Sequence, residues 1–142
     1  MDLAYIIIPI IVGISSQALK LLTDGIKGNF DFKNIMSSYG GMPSSHTAFA
    51  VSITTLLGIK LGFDQPIFAL ALIFTLLIIR DAVAFRGMLG KQAIIFNKLI
   101  DKLGKNGKEE IPYFRERMGH SIAEVGGGII WGIGLTILLN LI

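Results

Sequence analysis

The chain has 142 residues, 52% of them hydrophobic and 16% charged, with a mean hydropathy of +0.67. That length allows one domain, and so few charges in so apolar a chain exclude an ordinary soluble enzyme. The absence of cysteine excludes disulfides, thiol catalysis and cysteine-ligated metal, and the +3 net charge is interleaved with membrane-length apolar runs, which points to a basic membrane face rather than to nucleic acid. The first apolar run covers about 3–22, with Lys20 as its one charge, near the end. It lacks the basic start and small-residue cleavage site of a signal peptide, so it reads as a mature helix. The second run covers 47–61, and the third covers 66–79 with a helical continuation toward Phe85. The fourth covers 121–142 and is rich in glycine, as transmembrane helices often are. A span needs roughly 20 apolar residues. The first and fourth runs meet that, whereas the second is short and the third depends on its continuation, so these two are expected to be buried against neighbours. Between the third and fourth runs Leu89, Ala93, Phe96, Leu99, Ile100 and Leu103 recur at helical spacing, interrupted by Lys91, Lys98, Asp101 and Lys102. That pattern predicts an amphipathic helix, lying on the membrane surface or packed on the loops, and ended by the turn formers at 104–107. The expected fold class is all-α: an integral membrane bundle of about four transmembrane helices plus one amphipathic interfacial helix, forming a single domain over 1–142.

Four crossings put the 22–46 and 80–120 loops on one side, and both termini with the 58–65 turn on the other. With Lys20 counted at its helix end, the first side holds twelve of the thirteen Lys and Arg residues. By the positive-inside rule that side is cytoplasmic and both termini face out. The expected location is the plasma membrane of a bacterium.

The chemistry-bearing residues lie where the helices meet the basic side. Gly40-Gly41-Met42-Pro43-Ser44-Ser45-His46-Thr47 combines backbone-permissive glycines, a proline suited to a helix start and two serines able to cap it. A helix starting there would aim its free amides at an anion such as phosphate, with His46 in its first turn. A well-capped helix with an interfacial histidine accounts for the same letters. The second cluster is Arg115-Glu116-Arg117-Met118-Gly119-His120-Ser121-Ile122-Ala123-Glu124. His120 and Glu124 are four apart and share a face if both are helical, so the carboxylate could fix the imidazole tautomer and leave the other ring nitrogen available for attack. An interfacial ion pair between Glu124 and an arginine is the plainer account. Lys20 and Lys27 are seven apart, two helical turns; snorkelling lysines fit the same spacing. In Arg80-Asp81-Ala82-Val83-Ala84-Phe85-Arg86, Asp81 can pair with a cation and Arg86 can clamp an anion with its guanidinium fork. The topology places all four clusters at the same ends of four helices.

These residues resemble the type 2 phosphatidic-acid phosphatase superfamily, which also includes vanadium haloperoxidases, and most closely its divergent branch of small membrane proteins, the divergent PAP2 family. The superfamily motifs Lys-x6-Arg-Pro, Pro-Ser-Gly-His and Ser-Arg-x5-His-x3-Asp look like Lys20-x6-Lys27, Pro43-Ser44-Ser45-His46 and His120-x3-Glu124. Asp81-Ala82…Arg86, Gln92-Ala93…Asn97 and Glu124-Val125-x2-Gly128-x3-Gly132 are similar to further stretches of that branch. The chain departs from the pattern at Lys27, Ser45 and Glu124, and Phe114 stands where the third motif carries its arginine. Arg86, Arg115 or Arg117 could supply that guanidinium, with Arg86 preferred. Four spanning segments are also fewer than the six core helices typical of the superfamily.

The resemblance implies a PAP2-like core and a lipid phosphate or pyrophosphate phosphatase. His120 would be the nucleophile, Glu124 its orienting carboxylate and His46 the general acid and then base. Lys20, Lys27, Arg86, Ser44 and Ser45 would hold the phosphate, supported by Asp81 and Arg117. No metal or other cofactor is expected, and vanadate is expected to inhibit as a phosphate mimic. The rival readings are a phosphate- or anionic-lipid-binding membrane protein without turnover and a haloperoxidase, the latter disfavoured because those enzymes are generally soluble. The expected partners are membrane lipids, and no nucleic acid. The small face containing Gly126, Gly127, Gly128, Gly132 and Gly134 admits two uses, internal packing or a homodimer.

Overall fold

Polar and small side chains share the interior of this protein with a few aliphatic ones such as Val12 and Leu56, and most large apolar residues face outward. A computed structural model describes residues 2–23, 41–103, 111–114, 116 and 121–142, without the side chains of 21–23 and 86. Among these residues the elements are α1 (Ala4–Thr23), α2 (Ser45–Leu61), α3 (Pro66–Arg80), a π-helical turn (Asp81–Phe85), α4 (Arg86–Lys102) and α5 (Ile122–Asn140). Buried positions include Ser16, Ser44, Ser52, Thr47, Thr54, Thr75 and Thr136, whereas Ile6, Ile10, Ile73, Leu76, Ile130 and Leu138 are exposed. An apolar outer surface of that extent suits hydrocarbon rather than water, and small and hydroxyl side chains are what membrane helices use to approach one another. The fold is a membrane helical bundle.

The central element is α2. Its buried residues lie on several sides, from Ser45, Thr47 and Ala48 to Thr54, Leu56 and Gly58. It packs against α1, α3 and α5 together. Neighbours cover most of this short apolar segment, as its sequence suggested, and leave Phe49, Ile59 and Leu61 exposed. The third run, expected to be buried in the same way, buries only Thr75 and faces outward along most of its length. The α2–α5 contact is parallel and in constant register. A Cβ on Gly128 would lie 2.6 Å from the Ser44 carbonyl oxygen, and one on Gly132 would lie 2.7 Å from that of Ala48. One turn further on, Thr136 Oγ1 donates to Ser52 Oγ at 2.6 Å, again 84 residues apart. The Gly128/Gly132 face is therefore spent on internal packing, one of the two uses its sequence admits. Gly126 and Gly134 have open space where a side chain would be.

α1 and α3 run antiparallel to α2. Asp2 accepts from the Ala4 amide at 3.0 Å, which starts α1, and also pairs with Lys60 near the end of α2. That neighbouring ammonium holds the Asp2 carboxyl below its ordinary value. Trp131 Nε1 donates to Ser15 Oγ at 3.0 Å and ties α5 to α1. Thr75 of α3 donates to the Ala50 carbonyl at 3.0 Å and lies 2.8 Å from Thr54 Oγ1. α2 ends at Gly62, whose φ of 108° suits glycine and whose amide bonds back to Gly58 O at 3.1 Å. α3 restarts at Pro66, where a missing amide proton costs nothing.

The third apolar run and the amphipathic helix, expected as separate elements, form one helical run of 37 residues, Pro66–Lys102. The join is the π-helical turn, which keeps the chain helical across Asp81–Phe85. At 1.5 Å per residue the run is roughly 55 Å long, against a hydrocarbon core of about 30 Å. Its apolar N-terminal half suits the bilayer, whereas α4 exposes Lys91, Lys98 and Lys102 beside Ile95, Phe96 and Leu99. α4 buries Gly90, Ala93, Asn97 and Ile100 and leaves Leu89, Phe96, Leu99 and Leu103 exposed. Of the apolar stripe expected from the sequence, only Ala93 and Ile100 face inward.

Candidate functional site

Antiparallel α1 and α3 around α2, with parallel α5 beside it, bring four helix ends to one end of the bundle. These are the C-terminal ends of α1 and α3 and the N-terminal ends of α2 and α5. Lys20, Ser45, His46, Asp81 and Glu124 all come from those ends.

Glu124 holds the arrangement together. As the third residue of α5 it closes a capping box: its amide donates to Ser121 Oγ at 3.2 Å, and its Oε2 accepts from the Ser121 amide at 2.9 Å. Its Oε1 accepts from the Gly41 amide at 3.1 Å, and its main-chain carbonyl accepts from the Ser44 amide at 2.9 Å. One residue thus starts α5 and fastens the turn that starts α2. A carboxylate at a membrane helix end is costly without partners, and backbone amides supply them here. Gly41 can present its amide because its φ is 93°, in the left-handed region that favours glycine.

The two serines of the second motif diverge. Ser44 is the N-cap of α2, with φ −67° and ψ 113°, but its side chain makes no capping bond. The hydroxyl instead accepts from Thr47 Oγ1 at 3.0 Å, and the residue is 0% exposed beneath α5. The capping role expected of it is corrected accordingly, and a ligand at the surface cannot reach its hydroxyl. Pro43 precedes the cap and is buried rather than standing at the first helical position. Ser45 turns the other way. It lines a cleft between α1, α2 and α3, together with His46, Gln17, Asp81 and apolar residues of the three helices. Lys20 is buried one turn beyond Gln17. Arg86 is the first residue of α4, directly after the π-helical turn.

Lys27, Arg117 and His120 lie outside the described residues, as does Arg115. α5 begins at Ile122 with Ser121 as its cap, and the relation expected between His120 and Glu124 falls on a residue outside the described ones. The peptide after His120 is nonetheless the one whose amide Glu124 accepts.

A sequence model of the divergent PAP2 family matches residues 1–135. The chain belongs to the divergent PAP2 family. It is 32% identical over 117 residues to an uncharacterized membrane protein, YuiD, of Bacillus subtilis strain 168, covering 75% of this chain and 74% of that one. No solved structure matches.

Within this family member two site residues, Gln17 and Phe49, escaped the sequence reading, as did the contacts of Asn97. Gln17 joins the cleft; its signal was a lone amide in an apolar helix, three residues before Lys20. Phe49 lines the cleft one turn after Ser45. Asn97 uses its whole carboxamide on the chain leading to the third motif: Oδ1 accepts from the Phe114 amide at 2.8 Å, and Nδ2 donates to Phe114 O at 2.8 Å and Glu116 Oε1 at 2.9 Å. The main chain at Phe114, where the superfamily carries arginine, is thereby fixed to α4.

Proposed function

We propose that this protein is a membrane-embedded, metal-independent phosphatase acting on a lipid phosphate or pyrophosphate through a phosphohistidine intermediate. The observation that supports this most is the meeting of the second motif's helix start with Glu124, whose carboxylate and carbonyl bind the Gly41 and Ser44 amides. Two motifs 83 residues apart are joined by direct bonds, with His46 and Ser45 on the cleft beside them.

In this reading an imidazole nitrogen of His120 attacks phosphorus. A P–N bond forms as the bond to the leaving oxygen breaks, and His46 gives that oxygen its proton. His46 then takes a proton from water, the water oxygen attacks phosphorus, the P–N bond breaks and phosphate leaves. Glu124 orients His120 and offsets its developing positive charge. Lys20, Lys27, Arg86 and the leading amides of α2 hold the phosphoryl oxygens as charge shifts among them. Ser45 faces the ligand, whereas Ser44 contributes through the helix start. Asp81 and Arg117 support the cations. The site sits at head-group depth on the basic, cytoplasmic side of a bacterial plasma membrane.

The test is phosphate release by purified protein from phosphatidate, phosphatidylglycerol phosphate and a polyprenyl pyrophosphate, with and without vanadate. Vanadate-sensitive release is expected, lowered by about 10²-fold or more in His46→Ala and in His120→Ala. Wild-type rates in both variants would overturn the assignment. Phe114 in the arginine position favours one second reading, a phosphate-binding membrane protein without turnover. Retention of lipid phosphate with no release across the panel would support it.

A further inference from the structure

The cleft between α1, α2 and α3 has a volume of about 660 Å³, within the roughly 300–1,000 Å³ of small-molecule sites. One end is polar, with Gln17, Ser45, His46 and Asp81. The rest is apolar, formed by side chains such as Ile14, Phe49, Phe74 and Leu77. From Ile10 to Gln17 the α1 wall rises seven residues, roughly 10 Å along the helix, from the bilayer interior toward the basic end. Gly13 belongs to that wall, and a Cβ there would lie 3.3 Å from the Phe49 ring. Ser45 is 6% exposed, and its Oγ has no hydrogen-bond partner among the described residues. A buried hydroxyl in that state is costly and marks a place where a polar partner belongs.

We propose that this cleft holds the hydrocarbon chain of the substrate, reached sideways from the bilayer, and that Ser45 Oγ donates to the polar atoms joining chain to phosphate. The inference rests on the phosphatase reading for the identity of the head group. A lipid chain is favoured over a docked helix because the apolar walls are continuous with the phosphate end: one amphiphile satisfies both, whereas a helix would leave Ser45 unpartnered. The proposal also gives a role to the serine that stands where the superfamily motif has glycine.

The test uses full-length protein in phosphatidylcholine vesicles with a long-chain alkyl phosphate carrying a diazirine near the chain end. Photo-cross-links are expected at Ile14, Phe74 and Leu77, and to be lost about tenfold in Leu77→Trp or Ile14→Trp, which fill the cleft from outward-facing positions. Ser45→Ala is expected to weaken retention of the probe about three- to tenfold. Release from a short, water-soluble phosphate ester is expected to stay within about twofold of wild type in Leu77→Trp, which also shows that the variant is folded. Cross-links scattered over outward residues such as Ile6 and Ile130, or between two copies of the chain, would overturn the proposal. Specific cross-links without any phosphate release would leave the cleft standing and remove the phosphatase reading. Release with scattered cross-links would do the reverse.

Discussion

Removing the charge of Glu124 is expected to destabilise the protein as well as impair any chemistry. Its two carboxylate oxygens accept from Gly41 and Ser121 amides, and glutamine would turn an NH2 donor toward one of them. Bonds to charged groups contribute about 1.5–3 kcal/mol each, so Glu124→Gln is expected to cost on the order of 2 kcal/mol in reversible unfolding in detergent. An unchanged midpoint would contradict the fastening role. Spacing in the sequence singled out Glu124 and its need for a partner. It did not show that backbone amides, from a turn 83 residues away, would satisfy that need. The two serines make the same point. Ser44 and Ser45 are equivalent as letters, and only the direction of α2 relative to α5 decides that one hydroxyl is sealed under a glycine while the other faces the cleft. Asn97 was visible within a matching stretch, but its hold on Phe114 is a contact across a loop, which spacing does not encode.

At the level of elements, Gly132 and Gly134 of α5 have opposite expected behaviour. Gly132→Ala would put a methyl 2.7 Å from the Ala48 carbonyl, and backbone cannot move as a side-chain tip can. A cost of about 1–3 kcal/mol is expected from overpacking. Gly134→Ala meets nothing within 4 Å and is expected to be neutral or to gain up to about 1 kcal/mol from helix propensity. Parallel unfolding series in detergent would check this, and equal effects at the two positions would contradict the packing register. Helix existence was legible from the apolar runs, and the burial of short α2 followed from its length. The junction of α3 with α4 was not legible, because Asp81 and Arg86 look like the end of a span. The π-helical turn carries the helix through them, and hydropathy has no signature for such a turn.

For the whole molecule, the sequence showed that four helix ends converge on the basic side, and the antiparallel and parallel packing of the helices around α2 agrees with it. The wall between α1 and α3 was beyond reach, since it depends on how far two helices stand apart. The charge asymmetry makes a direct topological prediction, and the chain's lack of cysteine makes it simple to test. A single cysteine at position 64, in the turn between α2 and α3, is expected to react with an impermeant thiol reagent from outside intact cells, and one at position 108 only after lysis. The opposite pattern would invert the orientation and place the proposed phosphate site on the outer face. The central claim, that this end of the bundle transfers phosphate through His120, is tested most directly by rapid acid-free quenching after mixing the protein with a lipid carrying radiolabelled phosphate. An alkali-stable, acid-labile label that maps to His120 and is absent from His120→Ala is the result expected. Phosphate release that leaves no label on His120, or a label on another residue, would contradict it.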